Sequence, residues 1–178
     1  MAAVGLRVKT GKALAIAIGG SAAAPRAILR EEVALADRAN MDTVHPYHLE
    51  FEGQPKAAEA AARRARRIGA AALERLFETV GQRDRIESIT VIVNTHTPPE
   101  RITSPHMRAH GKEGWLFREI CEQAAELRGI DPATLSIDEI PLGDRATQRV
   151  LTTLGAEFGR PWTADWKLAA AAAWLKLR

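Results

Sequence analysis

His106, His110 and Glu113 recur at intervals of four and three residues, the spacing that stacks side chains along one side of an α-helix. At about 100° per residue the same side runs on through Leu116, Phe117, Ile120, Ala124 and Leu127, an apolar stripe suited to a core. A stripe that turns from leucine to histidine and glutamate toward its start carries ionisable groups to the edge of the layer it covers. An imidazole pair at i and i+4 can share one metal ion, and Glu113 lies on the same side. His96, just past an apolar run, and Asp165, near the start of a later helix, are candidates for the same edge. The chain is therefore expected to gather His110, Glu113 and Asp165 as metal ligands or acid/base groups, with His106 and His96 beside them. A plainer reading stays open: Glu113 and Asp165 near helix starts suit the helix dipole, and His106 is solvated.

A second histidine pair lies in His45-Pro46-Tyr47-His48, with Asp42 nearby. Two imidazoles three apart can bind metal, but a proline biases the residue before it to an extended backbone, which tends to point the rings apart. In the competing reading Tyr47 anchors the segment on the core and the histidines supply hydrogen bonds. Arg63, Arg64, Arg66 and Arg67 spread over a broad helix surface flanked by Glu59 and Glu74. They are either a phosphate-binding face or solvated helix surface. Trp115, Trp162, Trp166 and Trp174 are read as packing residues. The chain has no Walker A loop, no dinucleotide glycine fingerprint and no Gly-x-Ser-x-Gly elbow.

These groups must be positioned by a chain of 178 residues, long enough to bury roughly two-thirds of its unfolded surface. With 46% hydrophobic and 26% charged residues it is neither disordered nor collagen-like. Its single cysteine, Cys121, excludes an internal disulfide and any cysteine-pair zinc site. A formal charge of +3 is only a slight bias toward acidic partners. The apolar stretch Ala13–Ile18 is short for a signal sequence and alternates like a strand, and Leu168–Leu175 is far short of a membrane span. A soluble cytoplasmic protein without membrane contact is expected.

Alternation of Val4, Leu6 and Val8, the Thr10-Gly11 turn and a second alternating run at 12–18 predict a hairpin. Leu29, Glu31, Val33 and Leu35 continue it as a third strand. Residues 37–55 show no clear period and are expected to form a long loop. A helix is predicted over 56–80, and a central strand covered on both faces over 86–94. Ser104 and Pro105 then cap and open a helix running to about Arg128, ended by Gly129. A weaker strand is expected at 135–140, then helices over 144–158 and 163–177. The order βββαβαβαα predicts an α/β fold, one domain over 1–178, with a mixed sheet and helices on its faces.

The opening Val4-Gly5-Leu6-Arg7-Val8-Lys9-Thr10-Gly11 has the form apolar, Gly, apolar, polar, then a glycine-bearing turn. The closing Asp165-Trp166-Lys167-Leu168 leads into a run of alanines. With the order of elements, these segments resemble the ribonuclease H-like superfamily, in particular its Holliday-junction resolvase branch. The resemblance implies that fold, nucleic acid as partner and a pair of divalent ions, magnesium or manganese, clamped between carboxylates. Two positions depart from it. Arg7 stands where the resemblance expects the first-strand aspartate, and Asn94-Thr95-His96 where it expects a second carboxylate; only Asp165 matches. A guanidinium cannot ligate a metal and would repel the ions.

Three functional readings are open. In the first, an altered metal site leaves a domain that binds nucleic acid or another phosphate ligand through Arg7, His96 and Arg63. In the second, a phosphodiesterase uses one metal held by His110, Glu113 and Asp165, which are then its catalytic residues. In the third, the chain is a structural or interaction module whose last two helices form a homodimer contact.

Overall fold

The computed structural model describes residues 1–178. β1 (Ala2–Lys9), β2 (Lys12–Gly20) and β3 (Pro25–Ala34) form the expected antiparallel meander. Gly11, at φ 73°, takes the left-handed conformation that the β1–β2 turn requires. β4 (Ile86–Val93) and β5 (Ala133–Ser136) add in parallel on the other side of β1, giving the order β3-β2-β1-β4-β5. β1 is thus the middle strand and β4 its interior neighbour. β5 is shorter and begins earlier than expected, because Ser136 and Glu139 form a capping box that turns Ile137–Glu139 into a 3-10 turn.

The helices are α1 (Met41–Val44), α2 (Pro46–Phe51), α3 (Pro55–Gly81), α4 (Pro105–Glu126), α5 (Arg145–Phe158) and α6 (Ala164–Leu175). Ser104 caps α4 and Asp144 caps α5, each accepting from backbone N–H groups of the first turn. α4 ends before Leu127, which is consequently exposed instead of continuing the apolar stripe. The segment 37–55 is not a loop. Asn40 caps α1, and Pro46 occupies the first position of α2, where its missing N–H costs no hydrogen bond. Two helices this short give no hydrophobic period; packing of Val44 and Tyr47 on the core holds them. No helix is long and apolar enough to cross a membrane.

Strand alternation divides the interior into two cores. Val4, Leu6 and Val8 of β1 join the larger core beneath α3 and α4, with Phe77, Leu116 and Phe117. Ala3, Leu14, Ile16 and Ile18 face the second core, built with α5 and α6. Trp166 and Trp174 are buried there, so α6 spends its apolar surface within its own chain. α6 comes close because β1 offers no side chain at Gly5: a Cβ built there would stand 2.0 Å from the carbonyl oxygen of Ala169. Gly5→Ala is therefore expected to lower stability by about 3 kcal/mol or more, since backbone must move, as read by urea unfolding.

Candidate functional site

Arg7 follows Gly5 on the same side of β1, so its side chain enters the space beneath the first turn of α6. It is only 3% exposed. Its Nε donates to Asp165 Oδ1 at 3.0 Å, one terminal nitrogen donates to the carbonyls of Val8 and Ile92, and the other to Asn94 Oδ1. Lys9, next on that parity, donates from Nζ to Asp165 Oδ2 at 3.2 Å. Partial burial on its own would raise the Asp165 pKa, but the hydrogen bonds from Arg7 and Lys9 outweigh it and hold the carboxyl below its ordinary value. This end of the sheet holds a guanidinium and an ammonium against a single carboxylate. A pair of divalent ions does not fit that donor set. Nor is Arg7 a surface ligand-binding group, because its donors are turned inward on protein acceptors.

The second cluster lies beneath the opposite face. Glu113 is fully buried on α4, and three imidazoles converge on it. His45 Nδ1 is 3.0 Å from Oε2, His48 Nδ1 is 2.8 Å from Oε1, and His110 Nδ1 is 3.3 Å from Oε2. One donor atom from each of these four residues lies within 4.8 Å of all the others, a grouping that could hold a metal ion. His106 adjoins it, with Nε2 3.3 Å from His48 Nε2. His110 and Glu113 are thus together as the helical spacing predicts, and Glu113 is interior, not a solvated group near the helix start. Asp165 does not join them: α6 covers the other side of the sheet from α4, and Asp165 is engaged by Arg7 and Lys9. His45 and His48 take its place. His45 lies outside the helical region at φ −124° and ψ 55°, and the α2 helix that Pro46 opens brings His48 round to the same carboxylate.

His96 stands apart, with Nε2 2.7 Å from Glu139 Oε2. Backbone and side-chain hydrogen bonds from Ser136, together with His96, pull the Glu139 pKa down to about 2. Arg63 pairs with Glu59 on the surface of α3, Arg64 with Asp37 and Arg66 with Glu119. Three of the four arginines of the cluster are thus held by separate acids. Burial raises the pKa of the Cys121 thiol and keeps it inert.

Between the carboxyl ends of β1 and β4 and the start of α4 lies a cleft of about 310 Å³. Lys9, Asn94, Thr97, His110, Trp115 and Arg118 border it. The Arg118 guanidinium sits 4.6 Å over the Trp115 ring, and the indole donates to the Thr97 carbonyl at 3.2 Å. The sequence carried a signal for Lys9, on the strand parity of Arg7. It carried none for Arg118, whose role depends on the cleft.

No protein-family model matches the chain, and no curated protein matches it in sequence. Its fold does match solved structures. The RuvC protein of Thermus thermophilus in complex with a Holliday junction substrate superposes with a TM-score of 0.58 at 14% identity, covering 98% of this chain and 90% of that one. A second structure of Thermus thermophilus RuvC gives 0.57 at 14% identity, covering 98% and 92%. The chain shares the fold of these RuvC structures, here a mixed five-stranded sheet with helices on both faces.

Replacing Asp165 by Asn strands the buried Arg7 charge. With Asp165 about a third exposed, a loss of about 2 kcal/mol is expected at neutral pH. Because its folded pKa is lowered, the carboxylate stabilises fully above its unfolded value near pH ~4 and loses that contribution as pH falls through the folded value. The gap between wild type and Asp165→Asn should therefore close in acid, as read by urea unfolding at neutral pH and at progressively lower pH.

Proposed function

We propose that this chain is a nucleic-acid-binding domain of resolvase fold in which the metal-dependent cleavage centre has been replaced by an internal ion pair. The observation that carries the reading is the Arg7 guanidinium, buried at the carboxyl end of the middle strand and satisfied by Asp165, Asn94 and two backbone carbonyls. The resemblance places the first metal-binding carboxylate at this position, and magnesium or manganese has no place beside these cations. Binding is assigned instead to the cleft alongside. There Lys9, bridged to Asp165, and Arg118, bridged through Nε to Glu122 at 2.8 Å, keep further N–H donors for backbone phosphates, and Trp115 offers an aromatic surface. Fold likeness to a protein solved on a Holliday junction supports branched DNA as the first ligand to test. In this reading Arg7 positions Lys9 and Asp165 and does not touch the ligand.

Fluorescence anisotropy with a four-way junction and with single-stranded DNA tests the proposal. Binding should weaken with salt, and the double change Lys9→Ala with Arg118→Ala should reduce the salt slope by about 1 for each phosphate no longer neutralised. The junction should remain intact in magnesium or manganese. Manganese-dependent cleavage abolished by Glu113→Gln would overturn the reading in favour of a phosphodiesterase. Absence of salt-sensitive binding to either DNA would overturn it in favour of an interaction module.

A further inference from the structure

We propose that His45, His48, His110 and Glu113 bind one transition-metal ion of the zinc class, held through the three Nδ1 atoms and the Glu113 carboxylate. Four of the five histidines of the chain gather here, although they come from two segments about sixty residues apart. Their rings stand edge to face, with centroids 4.6 to 6.1 Å apart. At their centre is a carboxylate with no exposure and no lysine or arginine partner. A buried anion faced only by imidazole nitrogens is a place where a cation is favoured twice, by charge and by the lone pairs directed at it.

The distances suit such an ion. Bonds of about 2.0 to 2.1 Å in a tetrahedron separate neighbouring ligand atoms by about 3.3 Å. The Nδ1 atoms of His45 and His110 lie 3.0 and 3.3 Å from Glu113 Oε2 and that of His48 lies 2.8 Å from Oε1, while one ligand atom from each residue stands within 4.8 Å of the rest, so the imidazole–carboxylate pairs need to open by about half an ångström and the widest pair to close by up to about 1.5 Å. Three nitrogens and one oxygen are the donor set of zinc and its neighbours in the first transition row, not of magnesium, which takes oxygen ligands. His106 hydrogen-bonds His48 through Nε2, as an outer partner that fixes the ring with Nδ1 turned inward. An entry path exists: a cavity of about 410 Å³ opens onto His45, His48 and His110 and carries Asp42 and Glu52 at its wall.

The ion would tie the α1–α2 segment to α4. His45 lies at the junction of the two short helices and His48 within α2, whereas His110 and Glu113 are one turn apart on α4. The site is separate from the Arg7–Asp165 pair and does not depend on whether the cleft binds DNA.

The test uses the full chain, stripped with a chelator and titrated with zinc, cobalt and magnesium. Elemental analysis should find one zinc per chain. The thermal midpoint should rise by about 5 to 10 °C at about a hundredfold excess of zinc over its Kd. Cobalt should give the intense visible bands of a four-coordinate ion, and magnesium should change nothing. Glu113→Gln should weaken zinc binding about tenfold or more, and His48→Ala with His110→Ala should abolish it. Glu139→Gln, at the unrelated His96 pair, should leave it unchanged. Nitrogen NMR of the wild type keeps the proposal testable if a variant fails to fold: zinc should move the Nδ1 signals of His45, His48 and His110 but not those of His96. Less than stoichiometric zinc binding by the wild type, unaltered Nδ1 signals, or full zinc binding by the folded double variant would overturn it.

Discussion

The close approach of α6 to β1 over Gly5 governs the rest of the structure. A helix can come this close to the middle strand only where its backbone meets no side chain, and Gly5 together with the alanines 169–173 makes that contact nearly backbone on backbone. The approach fixes the height of the first turn of α6 above the sheet. Asp165 consequently comes within hydrogen-bond reach of Arg7, two residues beyond Gly5 on the same side of the strand. Without that carboxylate, the guanidinium would be a buried charge paired only with neutral oxygens.

β1 serves two environments at once because successive residues point to opposite faces. Leu6 and Val8 enter the larger core under α3 and α4, whereas Gly5 and Arg7 face α6. The sheet therefore separates two polar clusters of different character. One is a guanidinium and an ammonium neutralised by one carboxylate. The other is a carboxylate surrounded by imidazoles under the N-terminal half of α4. His110 borders both the histidine cavity and the cleft at the strand ends, so the wall of one is also the wall of the other.

Much of this was legible in residue order. The strand alternation in 4–9 and 12–18, the capping residue Ser104, and the side of α4 shared by His110 and Glu113 are all local patterns, and the structure agrees with each. The departure at Arg7 was equally plain, since a cation in that strand position is visible without coordinates. The 37–55 segment was not legible as helices, because four and six residues are too few to display a helical period. The exposure of Leu127 was also missed, because α4 stops one residue before it.

By itself the sequence determined the longer elements, the parity of β1 and the ionisable character of the first turns of α4, because periods of 2 and 3.6 are set by backbone geometry among near neighbours. Tertiary structure alone decided which distant groups meet. Asp165 was sorted to Arg7 and away from His110 and Glu113 because the helix that bears it crosses the opposite face of the sheet. His45 and His48 reached Glu113 because two short helices found their stability by packing on α3 and α4. Such choices depend on connections across the whole chain, and no local spacing encodes them.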